Sequence, residues 1–143
     1  MSFAVRLLLG SLCLLAAAGA PGAARADAEA ALAAAFSGSS AEELRRVLPR
    51  DKKVLLAVTP VHEEERHFGP DQVYYLFETF FESHPTISFR LRRKDDGDGG
   101  DRQMVHADWR YQAKGGAKSE PLVITLAEEG GRWVVTALRS ARQ

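Results

Sequence analysis

Residues Gly69–Arg93, GPDQVYYLFETFFESHPTISFRLRR, constrain the fold more than any other stretch. Gly69 suits an N-cap, and Pro70 suits the first helical position, where its missing N–H costs nothing. Asp71 places a negative charge in the first turn, which favours the helix dipole. Val73, Leu76, Phe77, Phe80 and Phe81 then fall at i, i+3, i+4, i+7 and i+8, which is one apolar helical stripe. Phe77 and Phe80 are expected at its middle, Phe81 towards one edge, and Glu78 outside it. His84-Pro85 ends the helix, because the residue before a proline is pushed out of the α region. Ile87, Phe89 and Leu91 then alternate with Ser88, Arg90 and Arg92, the pattern of a half-buried strand.

The flanking sequence supplies what such a helix must cover. Asp27 to Phe36 is alanine-rich and helical in pattern, with Leu32 and Phe36 on one face. Ser39 with Glu42, or Ser40 with Glu43, opens a second short helix carrying Leu44, Val47 and Leu48. Lys52 to Thr59 reads as a strand. Lys94 to Asp101 reads as a polar loop. Gln103 to Gln112 alternates, with Val105, Ala107, Trp109 and Tyr111 on one face and Met104, His106, Asp108 and Arg110 on the other. Ala113 to Glu120 reads as a turn, and Leu122 to Leu126 as a strand. Gly130-Gly131 makes a hairpin turn into a last strand, Arg132 to Arg139, with Trp133, Val135 and Ala137 opposite Val134, Thr136 and Leu138. Helices followed by a run of strands predict an α+β domain with an antiparallel sheet.

The N-terminus bears on compartment. Arg6 precedes an apolar run, Leu7 to Ala18, and Ala24-Arg25-Ala26 is an A-x-A site, so residues 1–26 read as a signal peptide with cleavage after Ala26. The run is shorter than the roughly 20 residues of a membrane-spanning helix. The expectation is a periplasmic or extracellular protein with one domain, residues 27–143, and no stable membrane span after cleavage. Removing the leader takes away Arg6, Arg25 and the only cysteine, Cys13, leaving a net charge of −2. Near-neutral charge argues against general nucleic-acid binding, and a chain without thiols excludes cysteine chemistry.

This order of elements resembles the nuclear-transport-factor-2-like (cystatin-like) superfamily, and within it secreted bacterial members of unknown function. The residues that carry the resemblance are AFSGSSAEEL (Ala35–Leu44), GPDQVYYLFETFFESHP (Gly69–Pro85), DWRYQ (Asp108–Gln112) and GGRWVVTALR (Gly130–Arg139). The resemblance implies a cone in which a curved sheet wraps around helices. Some relatives are enzymes similar to ketosteroid isomerase, with acid/base residues inside the cone. Others bind ligands or partners in that cavity, or dimerise through the sheet. No position in this chain matches a catalytic motif of the superfamily.

Spacing separates the candidate sites. His62 and His67 stand five apart, which takes them off a shared helical or strand face, so no zinc site is expected. Asp95, Asp96, Asp98 and Asp101 miss the calcium-loop pattern, since Gly100 and Ala107 occupy its fifth and twelfth positions counted from Asp96. No cofactor and no metal is expected. His106 and Asp108 share a strand face and are the acid/base candidates. Phe77, Trp109, Tyr111 and Trp133 are the candidates for lining a ligand cavity, because large rings suit such walls and those of Trp and Tyr add a polar handle. The leading expectation is a non-catalytic domain that binds a small apolar ligand or a cell-envelope protein through its cone or sheet face. The alternatives are an isomerase-like enzyme using His106 and Asp108, and a structural homodimer.

Overall fold

The computed structural model describes residues 21–96 and 100–141. The apolar run of the expected leader and Asp98 of the acidic loop lie outside them. The order is α1 (Pro21–Ser37), α2 (Ala41–Arg45), β1 (Val54–Ala57), β2 (Arg66–Phe68), α3 (Pro70–Ser83), β3 (Thr86–Asp96), β4 (Arg102–Ala113), β5 (Gly116–Glu129) and β6 (Arg132–Ser140). The strands form one sheet in the order β2-β1-β6-β5-β4-β3. All neighbours are antiparallel except β1 and β6, which run parallel. The expected antiparallel sheet is therefore mixed at one pairing.

Local chemistry sets the boundaries. Ser40 caps α2, its Oγ accepting from the Glu43 N–H at 3.2 Å. Gly69 caps α3 and Pro70 follows at its first position. The Gly69 N–H donates to Gln72 Oε1 at 3.1 Å, which satisfies a donor at the helix entry. His84 closes α3, stacking on Phe80 at 4.3 Å between ring centroids. Gly130 and Gly131 join β5 to β6 with φ of 57° and 81°. Both lie in the left-handed region that a two-residue primed turn demands.

One face of the sheet carries Val54, Leu56, Val105, Trp109, Leu122, Ile124, Val135 and Leu138, and the helices pack their own buried residues against it in a single core. Phe36 of α1 is the hub. It stacks on Phe89 at 4.7 Å and meets Phe77, Phe81 and Trp109 edge-on at 5.6, 5.8 and 5.2 Å. Edge-on ring contacts at these distances add to the hydrophobic gain of burial.

Several boundaries and faces differ from the sequence reading. Ile87 is exposed because β3 shifts register between Thr86 and Ser88, and Thr86 turns inward in its place, while Phe89 and Leu91 pack against the core as the alternation predicts. A second irregularity falls between Leu91 and Arg93. The expected turn over Ala113–Glu120 shrinks to Lys114-Gly115, and β5 begins at Gly116. In β6 the pairing skips Thr136, so Leu138 joins Trp133 and Val135 on the core face rather than lying opposite them. Each bulge inserts one residue and reverses which face the following side chains take. On α3, Tyr74 is buried and Leu76 only partly so, and Phe81 is as buried as Phe80.

Candidate functional site

The acid/base candidates lie on the sheet face turned away from the helices. His106 and Asp108 sit two apart on β4, with side chains 19% and 48% exposed. Each has its own partner. His106 Nε2 lies 2.9 Å from Asp95 Oδ2 and 3.3 Å from Arg93 Nη2. Asp108 Oδ2 lies 2.8 Å from Arg92 Nε. The two are engaged separately at the surface, His106 with Asp95 and Asp108 with Arg92, and make no dyad inside the cone.

The aromatic candidates point the other way. Phe77 and Trp109 have no exposed surface. Trp109 packs against Phe36, Phe80, Phe81 and Tyr111. Its indole N–H donates to Thr86 Oγ1 at 3.0 Å, which satisfies its one polar atom. Tyr111 is buried, and desolvation, with a smaller contribution from the Glu120 charge, raises its phenol above the usual range. Trp133 is the one of the four that reaches a surface cleft, beside Arg46 and Arg132. The Arg25 guanidinium lies over its ring at 5.3 Å. The interior between helices and sheet is thus occupied by its own side chains at Phe77 and Trp109.

The open face of the sheet carries a groove of about 550 Å³. The pairing of β4, β5 and β6 puts Met104 beside Thr125, and Val123 beside Arg139, on this face. Met104, Val123 and Thr125 form its floor, and Arg102 and Arg139 its basic rim. Met104 is 41% exposed, one of three large apolar side chains left so among the described residues. Arg139 Nη2 lies 3.5 Å from Glu65 Oε1, whereas Arg102 has no carboxylate partner among the described residues.

Sequence reasoning missed two polar clusters. The Tyr74 hydroxyl lies 2.6 Å from both Glu42 Oε1 and Glu78 Oε2. Hydrogen bonding to Glu42, then to Glu78, raises this phenol above its ordinary range. The Arg45 guanidinium covers the same ring at 3.9 Å. The i, i+4 spacing of Tyr74 and Glu78 was a signal for half of this cluster; Glu42 comes from another helix and left none. The second cluster is a pair between the almost buried Glu29 of α1 and Lys94 of β3, at 2.5 Å. Lys94 read as loop, so its place on β3 opposite Glu29 of α1 was invisible. Among the described residues no group of three or more His, Cys, Asp or Glu is placed to hold a metal.

No protein-family profile matches the chain, and no curated protein does. Solved structures do. A DUF4783 family protein from Bacteroides uniformis superposes with a TM-score of 0.65 at 16% identity, covering 80% of this chain and 97% of its own. An NTF-2 like protein of unknown function from Shewanella oneidensis gives 0.64 at 12% identity, covering 86% of this chain and 100% of its own. A protein with a ketosteroid isomerase-like fold from Catenulispora acidiphila, solved in complex with trimethylamine, gives 0.63 at 15% identity, covering 82% and 85%. At such identities the likeness is one of fold. The chain has the nuclear-transport-factor-2-like fold, in which a few helices pack on a curved, mostly antiparallel six-stranded sheet.

Proposed function

We propose that this domain is a non-catalytic binding module, exported as residues 27–143, that takes a small apolar molecule with an acidic head on the open face of its sheet. The observation that carries the reading is the groove itself. Its volume of about 550 Å³ falls within the roughly 300–1,000 Å³ of small-molecule sites. An apolar floor of Met104, Val123 and Thr125 suits a hydrocarbon body, and methionine adapts to irregular shapes. Arg102 at the rim suits a carboxylate, because a guanidinium presents two parallel N–H donors. The separate engagement of His106 and Asp108 favours binding over acid/base chemistry.

Calorimetric titration of the mature chain with decanoate tests the proposal. Saturable binding is expected in the wild type, abolished by Met104→Glu and weakened about tenfold by Arg102→Gln, the loss of one charge-assisted contact. No heat from the wild type, or equal binding by Met104→Glu, would overturn it.

Export is supported by the leader pattern of residues 1–26, an apolar run followed by an A-x-A site. Edman sequencing of the exported protein should begin at Asp27. An intact Met1 terminus on that fraction contradicts the proposal.

A further inference from the structure

We infer that the cleft between the end of α2 and the start of α3 is a second binding site, for a small soluble molecule carrying a phosphate or sulfate group. The cleft encloses about 350 Å³. Three arginines from three parts of the chain line it: Arg45 at the end of α2, Arg50 in the following loop, and Arg132 at the start of β6. Leu48, Pro49 and Pro70 supply stiff apolar walls.

Two of the three guanidiniums are held in place. Arg45 lies over the Tyr74 ring at 3.9 Å. Arg132 Nη2 donates to the Arg46 carbonyl at 2.6 Å. An arginine already fixed in position gives up less side-chain freedom when it meets a ligand. None of the three is ion-paired with a carboxylate among the described residues, although basic neighbours outside the cleft are. Arg46 reaches Glu43 at 3.6 Å and Lys52 reaches Glu129 at 2.9 Å. Positive charge gathered in a concave wall and left unneutralised there focuses the field on an anion. Guanidinium forks match tetrahedral oxyanions as well as carboxylates, and three forks outnumber the oxygens of one carboxylate.

The backbone adds to this. The glycine N-cap of α3 has no side chain to accept from the first turn. The Gly69 N–H is taken by Gln72 Oε1 and the Val73 N–H by the Gly69 carbonyl. Pro70 has no N–H, so those of Asp71 and Gln72 have no helical acceptor and face the end of the helix that lines the cleft. One group opposes an anion: the Asp71 carboxylate, which also lines the cleft. That opposition gives the proposal a signed test.

The experiment is a ¹⁵N–¹H NMR titration of the full mature chain with inorganic phosphate, at ionic strength held constant with chloride. Saturable shifts are expected at the amides of Asp71 and Gln72 and at Arg132. Arg50→Gln, a change at an exposed side chain, should weaken binding about tenfold. Asp71→Asn should tighten it severalfold. Arg90→Gln, on the far strand β3, should change nothing. Peak dispersion in each spectrum reports that each variant is folded. Shifts that follow chloride equally, an Arg50→Gln variant that binds like the wild type, or weaker binding by Asp71→Asn would overturn the inference. So would co-sedimentation with phosphatidylglycerol vesicles by a protein that gives no response to free phosphate.

Discussion

Tyr74 shows how one polar atom can re-aim a helix face. The periodicity of α3 placed Leu76 in the stripe and left Tyr74 out. The structure buries Tyr74 instead, since its hydroxyl reaches Glu42 and Glu78 while its ring packs under Arg45. The pair couples α2 to α3, so Glu42→Ala and Glu78→Ala should be non-additive: either remaining carboxylate keeps the phenol hydrogen-bonded, and the double variant should lose more than the sum. Additive urea midpoints would contradict the sharing. The raised phenol pKa has a sign. An unfolded tyrosine ionises near about 10, and the folded form holds its proton to higher pH. The contribution is therefore fully present below about pH 10 and is lost as pH rises through the folded pKa. Between pH 8 and 11 the wild type should lose stability more steeply than Tyr74→Phe, which lacks this titration, while Tyr111 contributes equally to both. Parallel curves would remove Tyr74 from the account. Thr86 makes a separate point. Thr86→Val keeps the shape but strands the buried Trp109 N–H, and should cost about 1–3 kcal/mol in urea unfolding.

At the scale of elements, what was legible followed period, and what was hidden followed bulges and partners. The type of α3, β4 and β6 could be read because their apolar spacing is long and regular, and that of α1 because it is rich in alanine. The placement of Ile87 and the end of β6 could not, because an extra residue near Ile87 and at Thr136 interrupts the alternation without any sign in composition. Strand β2 has only Arg66, His67 and Phe68 and exists through its pairing with β1, and three residues are too few to show an alternation. The candidate site was legible in a similar, partial way. The alternation of β4 divided Met104, His106 and Asp108 from Trp109 and Tyr111 correctly, but which face carried the groove depended on how completely Phe36 and the α3 rings fill the interior. For α3 the corrected phase makes a test. Phe80→Ala and Phe81→Ala should each cost about 3–5 kcal/mol through the cavity they open, whereas Leu76→Ala, half-buried, should cost less. A Leu76→Ala variant less stable in urea than Phe81→Ala would mean the helix is rotated from the face described.

At the scale of the whole molecule, the helices occupy one side of the sheet and leave the other to the solvent. The cone interior is packed core, and the proposed recognition lies outside it, on the open face. The reporters lie on opposite sides of one strand, since Met104 and Trp109 alternate along β4. A single NMR titration with decanoate, following the Met104 methyl and the Trp109 indole N–H, reads both at once. Saturable movement of the Met104 methyl is expected while the Trp109 indole stays within the scatter of the unliganded spectrum. Movement of the Trp109 indole with Met104 unmoved would place the ligand inside the cone and contradict that expectation.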